Sequence, residues 1–400
     1  MADALFQSTT GTCRLIRVPA DLSGGMRARF VAAIRQAVEK QARIAASCDG
    51  ILALRGEVIE ADATLIIPHE PASSAIPEAI VNGPRPDIYT LWWLTRATIA
   101  ALRAAADARL VHGGLQLGSV MLDAVGRVKL TDFGLAPAFE LVGDSETLGR
   151  LLCDARPTNT ADGAAATATW SLASDESHEH GWITPYFAHE VLSGDARLNP
   201  SADQFALGTL LYAWATGVLP FGQEFSDPSI FAHFQIEPTE FEEHREDWAP
   251  YFERASRGES LTGDAAVIDW SGLVLRLLAR LSSDRFSDLG EAQTIAAAFT
   301  LDTWSEFEQT LRDAAPLLAE QQYDEYLNLL GPWLENTTLP EVQRVRLNEH
   351  VQSIEAERKT AAAQRAYVER LSEARQAAGE GRADEAVRIA RELVENPQTP

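Results

Sequence analysis

Between residues 109 and 136 the chain reads RLVHGGLQLGSVMLDAVGRVKLTDFGLA, and no other stretch narrows the possible folds as much. An apolar strand runs into His112, and a Gly-rich loop leads to the apolar run Val120-Met121-Leu122. Asp123 to Gly126 supply turn residues, and a second strand ends at Asp132-Phe133-Gly134. Short apolar runs bounded by Gly and Asp predict strands and tight loops rather than helix.

Four further segments follow in order: Thr184-Pro185-Tyr186-Phe187-Ala188-His189-Glu190, Ser201-Ala202-Asp203-Gln204-Phe205-Ala206-Leu207-Gly208, Thr216-Gly217-Val218-Leu219-Pro220-Phe221 and Asp284-Arg285-Phe286. With 109–136 they resemble the protein kinases, in particular the bacterial serine/threonine type. The likeness takes in the catalytic loop H-x-D-L-x-x-x-N, the D-F-G loop, the end of the activation segment with His189 in place of Pro, the start of the central C-lobe helix and the late arginine motif. It implies an α+β, two-lobed kinase-like fold, with a truncated N-lobe at 1–70 and a mostly helical C-lobe at 71–300. It also implies structural roles. Asp203 would hold the backbone of the 112–114 loop, Glu190 would pair with Arg285, and His112, Phe133 and Gly134 would serve packing.

The departures from the pattern bear on chemistry. Phosphoryl transfer needs a carboxylate to orient the acceptor hydroxyl and take its proton. The family places it two residues after the His, where this chain has Gly114. The metal-binding Asn is replaced by Ser119, a weaker ligand for a hard cation, and the loop lysine by Gln116. CRLIRV resembles the strand that carries the phosphate-binding lysine and sets Arg17 at that position; the chain's only lysines are Lys40, Lys129 and Lys359. Arg keeps the charge but not the shape. No room remains before Arg17 for the Gly-rich loop over the phosphates. Glu39 is the positional candidate for the αC glutamate, the alternative being a solvated helix charge. Asp132, the metal ligand of D-F-G, survives, either still binding a metal–nucleotide or as a relic.

Net charge is −24, which argues against nucleic acid or anionic membrane as main partner. No apolar run reaches bilayer-spanning length and no signal peptide is legible at MADALFQSTTG, so a cytoplasmic address is expected. Cys13, Cys48 and Cys153 are too scattered for a zinc site or a disulfide framework.

Residues 4–18 read as a hairpin, 25–46 as a helix with Phe30, Ile34, Ala37, Val38 and Ile44 on one face, 51–60 and 64–70 as strands, and 88–108 as a helix. The polar stretch 156–181 offers Thr158, Thr160, Thr167, Thr169, Ser171, Ser174 and Ser177 as phosphate acceptors for a partner kinase, the alternative being a disordered insertion. Beyond 301 the pattern is helical and repeats: 318–336 aligns with 378–396 at an offset of 60 residues. Glu320, Asp324, Glu325 and Leu327 recur as Glu380, Asp384, Glu385 and Val387. The repeat resembles tetratricopeptide-type helix pairs at 301–400; a single long helical tail is the alternative.

The resemblance and its departures together predict a catalytically inactive kinase homologue, a protein-binding scaffold or allosteric regulator in bacterial signalling. An active kinase or its substrate is the class of partner implied, with neither ATP nor magnesium as working cofactor. The rival expectation is a nucleotide-binding or nucleotidyl-transferring enzyme that uses Asp132 and one metal.

Overall fold

The computed structural model describes residues 12–18, 22–61, 63–70, 72, 86, 88–139, 186–192, 196–216, 220, 265–297 and 302–395. The arrangement is α+β. Strands β1 (Thr12–Arg17), β2 (Ile59–Ala61) and β3 (Thr64–His69) form an antiparallel sheet in the order β1-β3-β2. Strands β4 (Val120–Leu122) and β5 (Val128–Leu130) form a separate hairpin.

Helix α1 (Gly24–Ala45) begins behind Ser23, whose hydroxyl accepts from the Met26 N–H. Its buried residues, Phe30, Ile34, Ala37, Val38, Gln41 and Ile44, recur at helical spacing and press the helix on the first sheet. Phe30, Ile34, Ala37 and Val38 share a core with Ile16, Leu65 and Ile67 of the strands, with Val18 just beyond β1, and with Leu135, Ala136 and Ala138 of α3 (Leu135–Phe139).

The expected strand over 51–60 is broken. Ile51 bridges Leu130 and Leu54 bridges His69, but only Ile59–Ala61 forms a strand. Gly56, at φ +97°, breaks the extended run. The expected first strand of the 4–18 hairpin and the serine/threonine-rich stretch at 156–181 lie outside the described residues.

Helices α2 (Ile88–Asp107), α4 (His189–Leu192), α5 (Pro200–Thr216), α6 (Ala265–Leu277) and α7 (Leu289–Ala297) follow. Helix α5 is apolar nearly all round and is buried on every side, which is why its sequence shows no amphipathic stripe. Trp270 of α6 donates to Thr95 Oγ1 of α2 at 3.0 Å, so the buried indole N–H has an acceptor.

The chain divides into two compact units. The first holds residues 1–302 with 338–343, and the second holds 303–337 with 344–400. The sequence boundary at 300 gave the whole of 301–400 to the tail; the stretch 338–343 clusters with the first unit instead, with Leu339 and Gln343 both buried. The second unit contains α8 (Asp302–Ala319), α9 (Tyr323–Leu330), α10 (Glu341–Gly379, from Arg344 on) and α11 (Ala383–Glu395). Among the described residues no helix is long and apolar enough to cross a membrane.

Candidate functional site

The loop 110–119 is organised from behind by α5. Asp203 accepts from the His112 N–H at 2.8 Å and from the Gly113 N–H at 2.7 Å, one bond on each carboxylate oxygen. Gly113 takes φ +75°, and an added Cβ would lie 2.9 Å from Pro137, so only glycine fits there. Burial pushes the Asp203 carboxyl up to about 7, against the pull of those two N–H donors. Glu190 and Arg285 form a two-pronged ion pair at 2.6 and 3.0 Å, and Arg285 also donates to the carbonyls of Ala279, Arg280 and Ser201. Gln204, which the sequence reading did not single out, clamps the Phe286 backbone through both amide atoms.

Gly114 has no side chain to offer, and its N–H turns back to His112 Nδ1 at 3.4 Å. The Ser119 hydroxyl is spent within the same loop, accepting from the Gln116 N–H and donating to the Gly114 carbonyl. The His112 ring packs on Phe133 with centroids 4.7 Å apart, and both are fully buried. Gly134, at φ +72°, faces Leu110 and Ala37, where an added Cβ would stand 2.7 and 3.1 Å away.

Asp132 takes φ +70°, and its carboxylate points into the protein. Arg14 Nη2 of β1 lies 2.7 Å from its Oδ2, and the two side chains are 4 % and 6 % exposed. The cation at Asp132 is Arg14, whereas the resemblance sets Arg17 at the phosphate-binding lysine position. Arg17 is placed only as a β1 residue opposite Thr64. Glu39 fits the alternative of a solvated helix charge: it projects from the solvent side of α1, mostly exposed, 3.7 Å from Arg43. No carboxylate of α1 is among its buried residues.

Two neutral histidines complete the cluster. His69 stands opposite Thr12 in the β1–β3 register, two residues along from the Arg14–Ile67 pair and on the same face. Burial holds His69 and His112 down to about 4, and the Arg14 charge adds to the depression. Burial also raises Asp132 and lowers Arg14, while each pulls the other back toward its charged form.

Magnesium and ATP, which the resemblance attaches to positions 119 and 132, do not fit these donors. Asp132 is held by a guanidinium, the Ser119 hydroxyl is bound into its loop, and position 114 carries no acceptor. Among the described residues no group of three or more His, Cys, Asp or Glu side chains could hold a metal ion.

Comparison with known proteins covers part of the chain. A probable serine/threonine-protein kinase of Corynebacterium efficiens is 24 % identical over 191 residues, 48 % of this chain and 22 % of that protein. NUAK family SNF1-like kinase 2 of Rattus norvegicus is 26 % identical over 170 residues, 42 % of this chain and 22 % of its own length. Putative CBL-interacting protein kinase 27 of Oryza sativa is 29 % identical over 126 residues, 32 % of this chain and 24 % of that protein. The chain is kinase-like over a third to a half of its length. It spans about a quarter of the length of these curated relatives. No protein-family model matches it. The loop at 112–113 is thus held by Asp203, beside a carboxylate already paired from within.

Proposed function

We propose that this chain is a catalytically inactive kinase homologue, a pseudokinase, that works by binding other proteins in signalling. The observation that carries the reading is the buried Arg14–Asp132 pair: a guanidinium stands where a divalent cation would have to meet the carboxylate. Gly114 adds a second deficit, because no side chain can accept the proton of an attacking hydroxyl. Acid–base groups contribute about 10²–10⁴-fold to such reactions. Loss of that group together with the metal ligands leaves turnover negligible beside the usual kinase rate of about 1–100 s⁻¹. Nucleotidyl transfer through Asp132 would require the same carboxylate to leave Arg14. A two-lobed arrangement, a tetratricopeptide-like tail and partners among active kinases or their substrates belong to this reading, as do a cytoplasmic address and a bacterial setting.

The test is incubation of the purified chain with ATP labelled at the α or the γ phosphate, with magnesium or manganese and a generic protein acceptor. Neither label should be transferred, and titration calorimetry with Mg-ATP should show no binding heat. Transfer of either label that is lost in Asp132→Ala overturns the proposal.

A further inference from the structure

Helix α1 is a cationic element in an acidic chain. It carries Arg27, Arg29, Arg35, Lys40 and Arg43 against a single acid, Glu39, while the chain as a whole has a net charge of −24. Its buried residues, from Phe30 to Ile44, hold one side of the helix to the core. Arg29, Gln36, Lys40 and Arg43 follow at steps of seven, four and three residues, which sets them in one row along another side. Arg29, Gln36 and Arg43 are exposed, and Lys40 is half-buried.

The acids within reach do not neutralise this row. Glu60 of β2 takes Arg27 and Arg35 together, at 3.3 and 3.5 Å, on the flank of the helix opposite Arg29. Glu39 lies 3.7 Å from Arg43, and both side chains stand in open solvent, where such a pair is worth little. Among the described residues Arg29 and Lys40 have no ion-pair partner. Helix stability does not account for these charges. The first turn of α1 holds no acid, where the helix dipole favours one, and Lys40 and Arg43 are like charges three residues apart, which is mildly destabilising.

We propose that the row Arg29, Gln36, Lys40 and Arg43 of α1 docks a short acidic segment of a partner protein. From Arg29 to Arg43 the row is about 21 Å long. An extended chain covers that length in about six or seven residues. The three cations meet carboxylates along one side of such a segment, and the Gln36 carboxamide pairs with a backbone amide between them. The rest of the chain selects for a short run. With a screening length of about 8 Å at physiological salt, the row acts on groups in contact with it. The surplus of acid elsewhere repels a polyanion that extends past the row, such as nucleic acid or an anionic bilayer. The inference rests on the binding role proposed above and deepens it; label transfer from ATP tests inactivity and the titration below tests this surface, so either can fail alone.

The probe is a fluorescein-labelled octapeptide of glutamate, titrated with the full chain in about 0.05 M salt and followed by anisotropy, with an octapeptide of serine as control. Saturable binding is expected for the glutamate peptide alone, weakened about tenfold or more by Arg29→Glu with Lys40→Glu, and weakened likewise by added salt. Arg280→Glu with Lys359→Glu makes the same change in net charge at exposed positions elsewhere and should leave the affinity within about twofold. Helix content by circular dichroism should be the same in both variants. Absence of saturable binding, or equal weakening by the two variants, overturns the proposal. So does tighter binding to phosphatidylserine vesicles that Arg29→Glu with Lys40→Glu abolishes, because a lipid surface would then own the row. A concentration-dependent dimer dissolved by the same variant overturns it too, by assigning the row to a second copy.

Discussion

Arg14 brings one nitrogen to Asp132, while its Nε and Nη1 find no acceptor among the described residues. Both charges have lost their hydration, and the pair is not fully compensated by hydrogen bonds. Removing one partner from such a pair costs about 3–5 kcal/mol, whereas replacing both by apolar groups is often neutral or stabilising. Arg14→Met alone is therefore expected to lower unfolding stability in urea by that amount, and Arg14→Met with Asp132→Leu to restore part of it, because the left-handed backbone at 132 costs a leucine about 1–2 kcal/mol. Equal losses in the single and double variants would show that the two residues do not act as a pair.

The buried histidines set a pH dependence at the same scale. His69 and His112 titrate near 6.5 when unfolded and near 4 when folded, so the unfolded chain takes up protons that the fold refuses. Their contribution is complete above about 6.5 and is lost as pH falls toward 4, by at most about 3 kcal/mol each. Asp203 acts with opposite sign: its folded form holds a proton that the unfolded carboxyl releases above 3.8, so that contribution fades as pH rises through about 7. Asp132, which burial also raises, acts in the same sense as Asp203, so the histidine contribution is read by difference. Relative to the native chain, His69→Phe should gain stability at pH 4.5 over its value at pH 6.5; a difference that does not change with pH would remove His69 from the account.

At the scale of elements, hydrophobic period decides what is legible. Helix α1 shows Phe30, Ile34, Ala37, Val38 and Ile44 on one side, and all five are buried. The same period leaves Glu39 outside, so its exposure is consistent with its place between core positions rather than with a site role. Strand β1 is less legible, because alternation puts one arginine on each parity: Arg14 with Ile16 and Val18, Arg17 with Cys13 and Leu15. Arg14 shares the parity of the buried Ile16 and Val18, and its partner Asp132 lies on another element, beyond any local pattern. The turn before α11 is a cleaner case. A Cβ at Gly381 would touch nothing within 4 Å, so Gly381→Ala isolates the cost of the left-handed backbone. The expected loss is about 1–2 kcal/mol in thermal unfolding of the second unit. No loss would mean that the turn can rearrange to accept a side chain.

For the whole molecule, the division into two units has a thermodynamic consequence. Units with separate cores need not melt together, so calorimetry should resolve two transitions rather than one. Leu339 is 2 % exposed and belongs with the first unit, although the stretches that flank 338–343 belong to the second. Leu339→Asp should lower the transition of the first unit and leave the other in place. A single transition shifted as a whole would show that the two cores fold cooperatively.

The chain's order of motifs and its periodicities determined the long helices, the short strands within 109–134 and the Asp203-held loop, because each rests on near neighbours or on residue types that tolerate one conformation. Which arginine meets Asp132, which carboxylates stay in solvent and which cations of α1 go unpaired were decided only by tertiary structure. Those outcomes depend on the burial and pairing of charges contributed by distant segments, and the energy of a charge is set by what surrounds it rather than by its place in the sequence.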